Sequence, residues 1–209
     1  MILPGACDTP GVKITGTIRG LDGTVRLLAE MPGEKGFTMV AQQEVQGGQL
    51  DLRTEQLVLP AQVWIDFRGR RMLELILDSQ KGTFIEGEVD SVERLKITGS
   101  SLMERYTQVM HAINEKFGPD IENYNERILE ISRKENLTRD DEMKLGKHQL
   151  DRQRVIGRRA DYVKLMIKSN LTQDLSLFLL KNELMDSVSA QKKLFHSLAI
   201  SNKESNIYK

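Results

Sequence analysis

Polar and apolar residues alternate through the first half of the chain, which is the spacing of strands that bury one face. The opening segment is typical, since Val12, Ile14 and Ile18 alternate with lysine, threonine and arginine side chains. Turns, most of them containing glycine, separate eight such segments, at residues 12–19, 24–31, 37–44, 50–53, 61–67, 72–77, 83–88 and 95–98. Short strands at this spacing indicate an antiparallel β-sandwich or an open barrel.

The second half changes to helical spacing, with apolar residues at every third or fourth position. A first helix begins near Leu102 and is predicted to stop at Gly118 and Pro119, which are a helix-ending pair. A second helix covers residues 121–136, and a third begins at Thr138 and ends near residue 169. Because few residues separate them, these two are expected to form a long antiparallel hairpin. Two shorter helices are predicted at residues 175–184 and 189–199.

The change of spacing falls at Gly99, where a positive φ would let the chain leave a strand abruptly. Ser101 and Glu104 have the spacing of a capping box, which predicts a helix start at this point. The fold class is therefore α+β, an antiparallel β-sandwich-like half followed by a helical half. The predicted organisation is a tail at 1–11, a β domain at 12–99, a helical region at 100–200, and a tail or linker at 201–209.

Composition and charge exclude several functional classes but do not identify one. The 209 residues carry 30 basic and 30 acidic side chains, so net charge predicts no partner. No apolar run approaches the roughly 18–20 residues that cross a membrane. Cys7 is the only cysteine, which excludes an internal disulfide, a Cys-x-x-Cys redox pair and a cysteine-based zinc site.

No motif predicts catalysis, a cofactor or a metal. Gly16, Gly20 and Gly23 lack the spacing of a dinucleotide-binding loop and are interpreted as turn glycines. His148 and Asp151 lie three residues apart on one helix and are interpreted as a solvated surface pair. The acidic residues 140–142 suit a helix start, where the dipole favours negative charge. We therefore predict that this chain by itself is not an enzyme.

Residues 144–168 form a basic helix, with eight lysine or arginine side chains against two aspartates. Such a helix is able to meet phosphates or anionic lipid headgroups. Tyr162 is its only aromatic residue, which gives little support for base stacking. We interpret the charges as those of a solvated helix face and expect no nucleic-acid partner. A nucleic-acid binder that uses this helix is the weaker alternative.

Cys7 follows the small residues Gly5 and Ala6, with Leu3 four positions before it. This order is similar to the end of a bacterial lipoprotein signal, whose cysteine receives the lipid. Two interpretations stay open: a trimmed signal with Met1 added and Cys7 as the lipidation site, or an ordinary thiol on a loose tail.

Several features together resemble a family of unassigned function that precedes thioredoxin-like domains in Gram-negative envelope lipoproteins. They are the cysteine before the first strand, the opening segment at residues 13–27, the junction at residues 97–100 and the segment at residues 167–180. Leu171 stands where the family often has proline. Residues 75–79 replace its usual Phe-Leu-Glu-x-Gly run. The resemblance covers residues 7–199.

The resemblance implies a non-catalytic accessory module of a periplasmic or outer-membrane lipoprotein. Its partner would be a thioredoxin-like domain or redox protein, which the module would bind or position. The module could also serve dimerisation, so a homodimer is one expected state. The redox domain of such proteins follows this region, so the chain is expected to be an excised N-terminal part or a relative without that domain. The alternative is a stand-alone envelope lipoprotein that binds a ligand or protein on its sandwich. In either case the protein would contact a membrane only through the lipid anchor.

Overall fold

A computed structural model describes residues 11–31, 33–67, 69, 71–78, 82–170, 174–184 and 188–198. They divide into two compact units, with the boundary between Glu104 and Arg105. The first unit holds all eight strands and the second holds most of the helical residues, which confirms the predicted α+β class. The boundary lies a few residues beyond the change of spacing at Gly99.

The strands form two four-stranded sheets. In chain order they are β1 (Val12–Arg19), β2 (Gly23–Glu30), β3 (Phe37–Val45), β4 (Gln49–Thr54), β5 (Ala61–Phe67), β6 (Arg71–Leu77), β7 (Thr83–Glu88) and β8 (Lys96–Thr98). The first sheet has the order β4-β1-β7-β8 and the second β3-β2-β5-β6. A short 3-10 helix, Val89–Arg94, which was not predicted, precedes β8.

The two sheets share one apolar core, as in a sandwich. Ile14 and Ile18 from the first sheet and Val25, Leu27 and Ile65 from the second are completely buried in the same cluster. These residues are the inward half of each alternating segment, so the period-two pattern predicts the core directly.

The pairing of the strands departs from a simple series of hairpins. β1 and β2 are consecutive but lie in different sheets, and β1 pairs with β7 in parallel. Gly16 lies inside β1 and is not a turn glycine, which corrects its interpretation. An added Cβ there would lie 2.3 Å from the Ile85 carbonyl oxygen, so the close approach of β1 and β7 requires glycine.

The helices are α1 (Ser101–Ser132), α2 (Arg139–Ser169), α3 (Asp174–Asn182) and α4 (Val188–Ser197). The predicted break at Gly118 and Pro119 is wrong, because α1 continues through Pro119. Proline inside a helix costs about 3 kcal/mol. Ile113 and Phe117 before it and Ile131 after it are buried, and each buried side chain of this size contributes roughly 1.5–3 kcal/mol. Burial on both sides of the proline therefore outweighs the local penalty.

Helix α2 corresponds to the third predicted helix and begins as predicted. Thr138 caps α2, and its hydroxyl oxygen accepts a hydrogen bond from the Asp141 amide at 3.2 Å. The Asp141 carboxylate in turn accepts from the Thr138 amide at 3.1 Å and from the Lys134 ammonium group at 2.5 Å. These hydrogen bonds hold the pKa of Asp141 well below its usual range, with the Lys134 contact the largest cause.

The start of α1 differs from the predicted Ser101–Glu104 box. Ser100 is the capping residue, since its hydroxyl oxygen accepts from the Met103 amide at 3.1 Å and its hydroxyl donates to the Ile76 carbonyl at 2.5 Å. The carboxylate comes from Asp78, just after β6, and accepts from the Leu102 amide at 2.7 Å and the Ser101 hydroxyl at 2.8 Å. A residue distant in sequence thus replaces Glu104 in serving the free amides of the first turn.

Candidate interaction surface

Among the described residues, the outer face of the second sheet carries a group of exposed large apolar side chains. On β5, Ala61, Val63, Ile65 and Phe67 point into the core, so Trp64 points outward between them. Across the sheet, Leu28 of β2 lies opposite Trp64 on one side and Glu74 of β6 on the other. Trp64 therefore occupies the middle of the outer face.

Four apolar side chains accompany Trp64 on this face. Phe37 and Met39 come from β3, Leu28 from β2 and Met72 from β6. We call this set, Leu28, Phe37, Met39, Trp64 and Met72, the Trp64 face. A bulge between Leu27 and Leu28 gives β3 one extra residue, which places Met39 opposite Leu28.

Three members of the Trp64 face are half exposed: Phe37 at 52%, Met39 at 50% and Met72 at 48%. Complete burial of such a side chain contributes roughly 1.5–3 kcal/mol of stabilisation. Because each of these three is only half buried, covering its exposed half would add about 1 kcal/mol. Single exposed apolar residues are ordinary on protein surfaces. Several exposed apolar side chains grouped around a tryptophan on one sheet face are typical of a binding surface.

Polar side chains form the border of the Trp64 face. The Arg26 guanidinium lies 3.8 Å from the Asp66 carboxylate, and the Gln62 amide donates to Glu74 at 2.5 Å. Thr24 donates to Glu44 at 2.8 Å. An apolar centre with a hydrogen-bonded polar border is the usual anatomy of a protein interface.

The outer face of the first sheet is different. Arg19 pairs with Glu88 at 2.6 Å, and Arg53 pairs with Asp51 at 2.9 Å. The hydrogen bond from Arg53 lowers the pKa of the Asp51 carboxyl. Among the described residues of this outer face, Phe84 is the one large apolar side chain that is exposed. This face is solvated by paired charges and offers no comparable apolar area.

The basic helix predicted at residues 144–168 lies within α2, and five of its eight cations have carboxylate partners. These pairs are Lys144–Asp140 at 2.6 Å, Arg154–Asp151 at 3.0 Å, Arg158–Asp120 at 3.8 Å, Lys164–Asp161 at 3.5 Å, and Arg159–Glu183. The Asp140 carboxylate raises the pKa of Lys144. Neighbouring carboxylates thus offset much of the positive charge that phosphates would meet.

His148 and Asp151 do not form a pair in the structure. The Asp151 carboxylate accepts from Arg154, while the Nδ1 atom of His148 is buried and has no hydrogen-bond partner among the described residues. Asp151 lines an open depression of about 510 Å³, together with Tyr124, Arg154, Val155, Gly157, Arg158 and Asp161. Its two arginines and two aspartates balance, so it selects neither an anion nor a cation by net charge.

Other sequence features find no ligand-holding geometry. Cys7, the predicted lipidation site, lies outside the described residues. Within the part of the chain that the structure describes, no group of three or more histidine, cysteine, aspartate or glutamate side chains is placed to hold a metal. None of the helices there has a stretch apolar and long enough to cross a membrane.

Sequence reasoning missed the Trp64 face. Its signal was present in β5, where apolar residues occupy both phases of the alternation and one of them is the only tryptophan in the chain. Comparison with family models, curated proteins and solved structures finds no match to this chain. The functional argument therefore rests on the residues themselves.

Proposed function

We propose that this chain is a non-catalytic accessory module that binds a partner protein through the Trp64 face. The observation that carries the proposal is the half-exposed group of Phe37, Met39 and Met72 around Trp64. A partner that covered these side chains would remove their apolar surface from water, which is the main driving force of protein association.

The resemblance in the opening segment supplies the candidate partner. We propose a thioredoxin-like domain or redox protein of the Gram-negative envelope, which the module would position for its substrates. The alternative is a stand-alone envelope lipoprotein that uses the same face for another protein or a ligand. Both proposals place the chain in the periplasm or on the outer membrane, with Cys7 as the proposed anchor.

The experiment uses Trp64 as an intrinsic reporter, because no other tryptophan contributes to the emission. A purified envelope thioredoxin-like protein whose tryptophans have all been replaced by phenylalanine is titrated into the chain. Binding should shift the Trp64 emission to shorter wavelength, and Met39→Glu together with Met72→Glu should abolish the shift.

Glu86→Gln, on the outer face of the first sheet, is the matched control and should leave the titration unchanged. An association that the two methionine variants do not weaken would contradict the assignment of the Trp64 face. No association with any redox partner, alongside saturable binding of another protein, would favour the stand-alone alternative.

The redox chemistry itself is expected to belong to the partner. A lone cysteine cannot complete a dithiol–disulfide cycle within one chain, and Cys7 is not part of a Cys-x-x-Cys pair. We predict no disulfide reductase or peroxidase turnover by this chain in a thiol-coupled assay. Turnover that is lost on Cys7→Ser would refute this prediction.

A further inference from the structure

The hairpin of α1 and α2 contains helix-weakening residues in both helices at one level. Gly118 and Pro119 lie inside α1, and Gly157 lies inside α2. The next residue of each helix joins the two, because the Arg158 guanidinium lies 3.8 Å from the Asp120 carboxylate. Pro119 and Gly157 are therefore level with each other in the hairpin, and proline is a common cause of a kink within a helix.

Each of these residues weakens its helix locally. Pro119 has no amide hydrogen, so α1 lacks one internal hydrogen bond at this level. The residue before a proline is disfavoured in a helix partly because its Cβ meets the proline ring, and Gly118 has no Cβ. An added Cβ at Gly157 would meet nothing within 4 Å among the described residues. Glycine makes a helix interior less stable than alanine does, so Gly157 gives α2 a backbone freedom that its packing does not require.

Towards α3, the hairpin is firmly packed. We call residues 105–117 and 159–169, together with α3, the base. Glu183, directly after α3, accepts a hydrogen bond from the Tyr106 hydroxyl at 3.0 Å and forms an ion pair with Arg159, so it joins α1 to α2. Four apolar side chains are buried in the two hairpin segments of the base: Ile113, Phe117, Val163 and Ile167. This packing holds the base as one body.

The rest of the hairpin, residues 121–156, is held together more weakly, and we call it the arm. No residue from 142 to 154 is buried as a whole. The Nδ1 atom of His148 and the Nε atom of Arg152 are shielded from solvent without a hydrogen-bond partner among the described residues, which disfavours packing at these positions. Within the described part of the chain, no hydrogen bond or ion pair joins the two helices of the arm before the contact that Lys134 makes at the tip.

We propose that Gly118, Pro119 and Gly157 form a hinge about which the arm bends relative to the base. A weak point in one helix alone would be splinted by the intact partner helix, whereas here both helices are weakened at the same level. About 20 Å of α1 lies between the hinge and its end at Ser132, at about 1.5 Å per residue, so a bend of about 20° moves the tip by about 7 Å. The inference concerns the helical unit alone and does not rest on the proposed function.

Distances between two nitroxide spin labels, measured by pulsed electron spin resonance, test the hinge. The labels are attached to cysteines introduced at exposed positions of a Cys7→Ser chain, so that no other thiol reacts. The arm pair is Glu130→Cys near the tip with Lys193→Cys on α4, which packs on α3. The reference pair, Gln108→Cys with Lys193→Cys, lies outside the arm. With displacements of about 7 Å at the tip, the distance distribution of the arm pair should be about twice as wide as that of the reference pair.

Gly157→Ala stiffens α2 and Pro119→Ala stiffens α1. Because one intact helix splints the other, either substitution alone should bring the width of the arm distribution close to that of the reference pair. Gly146→Ala is the matched control, since Gly146 also lies inside α2 with nothing within 4 Å of an added Cβ, but within the arm. It should leave the width unchanged.

Hydrogen exchange on the unlabelled chain provides a second measurement. Gly157→Ala should make local opening of α2 about fivefold rarer, and the exchange of amides 120–123 on α1 should slow by a similar factor. Gly146→Ala should slow only the amides of its own helical turn.

An arm distribution no wider than the reference distribution in the unaltered chain would overturn the inference. Equal narrowing by Gly146→Ala and Gly157→Ala would overturn it too, since the whole arm would then be uniformly flexible. If Pro119→Ala fails to fold, as judged by circular dichroism, Gly157→Ala alone decides, and an unchanged width in that variant would refute the hinge.

Discussion

The start of α1 provides the sharpest test of the fold, because two adjacent serines have different roles there. Ser100 is almost fully buried and makes two hydrogen bonds, with the Met103 amide and with the Ile76 carbonyl. Ser101 is exposed and only donates to Asp78. Substitution of each by alanine should therefore have unequal costs.

The cost of Ser100→Ala is the sum of two losses. Loss of a helix cap costs about 1 kcal/mol, within a range of roughly 0.5–2 kcal/mol. Loss of the hydrogen bond to the Ile76 carbonyl adds about 1 kcal/mol. We expect a total of about 2 kcal/mol for Ser100→Ala. Ser101→Ala should cost less than about 0.5 kcal/mol, since the Leu102 amide still donates to Asp78.

Urea denaturation followed by Trp64 fluorescence measures both values, because Trp64 lies in the β unit to which Ser100 and Ser101 also belong. With a slope of roughly 1–2 kcal/mol per molar urea for a unit of this size, Ser100→Ala should lower the midpoint by about 1–2 M. Ser101→Ala should lower it by less than about 0.5 M. A larger shift for Ser101→Ala than for Ser100→Ala would refute the assignment of Ser100 as the cap and restore the box predicted from sequence.

Three further predictions follow from the same structure. Gly99→Val should cost more than about 3 kcal/mol, because Gly99 has φ +92° and an added Cβ would lie 2.4 Å from the Gly82 carbonyl oxygen. Gly36→Val, at φ +84° with nothing within 4 Å, should cost clearly less in the same denaturation assay, and equal costs would contradict the steric argument. The lowered pKa of Asp141 means that its ionised form stabilises the folded state above its ordinary pKa near 4, and that this contribution is lost as the pH falls. The thermal midpoint of Asp141→Asn, followed by circular dichroism, should therefore lie below that of the unaltered chain at pH 6 and approach it at pH 2; a gap independent of pH would contradict this. Fluorescence anisotropy with a labelled oligonucleotide should reveal no salt-dependent binding tighter than about 10⁻⁴ M near physiological salt. Micromolar binding that disappears in a variant with four neutralised side chains would instead establish the basic helix as a nucleic-acid site; the four are Lys147, Arg154, Arg158 and Lys168.

The sequence predicts the strands well because their signals are local. Alternation marks the buried face of each strand and a glycine marks most of the strand ends, so the eight predicted segments match strands among the described residues to within one or two residues. The turn at Gly99 is confirmed for the same reason, since a positive φ at the end of a strand is a local requirement. The capping box at Thr138 and Asp141 is likewise contained within four residues.

Three of the errors involve interactions between residues distant in sequence. β1 pairs with β7 in parallel. The alternation of apolar residues within a strand does not determine which other strand it pairs with, so this pairing was not predictable from either segment. The carboxylate at the start of α1 belongs to Asp78, more than twenty residues before the amide that it accepts from. The passage of α1 through Pro119 depends on tertiary burial, which outweighs the local preference.

The Trp64 face was missed for a related physical reason. On β3, apolar residues occur in both phases, at Phe37 and Met39 and also at Val40. Alternation alone does not decide which of them faces the core. The bulge on the β2–β3 pair decides it, because the extra residue lets Val40 be buried while Met39 stays on the outer face. A bulge is a property of two paired strands and is not visible in either sequence segment alone.

Comparison of the two sheets distinguishes the apolar residues that the fold needs from those that a binding partner would need. Both sheets contribute to one core through their inward residues, and this core is complete without the Trp64 face. The first sheet keeps its outer face soluble with pairs such as Arg19–Glu88, so nothing in the sandwich demands an apolar exterior. Polar replacement of Phe37 or Met39 should therefore cost only about 1 kcal/mol, which is half the value of complete burial, and should leave the chain folded. A chain that stays folded while losing its partner would mean that these side chains are held on the surface for binding and not for stability.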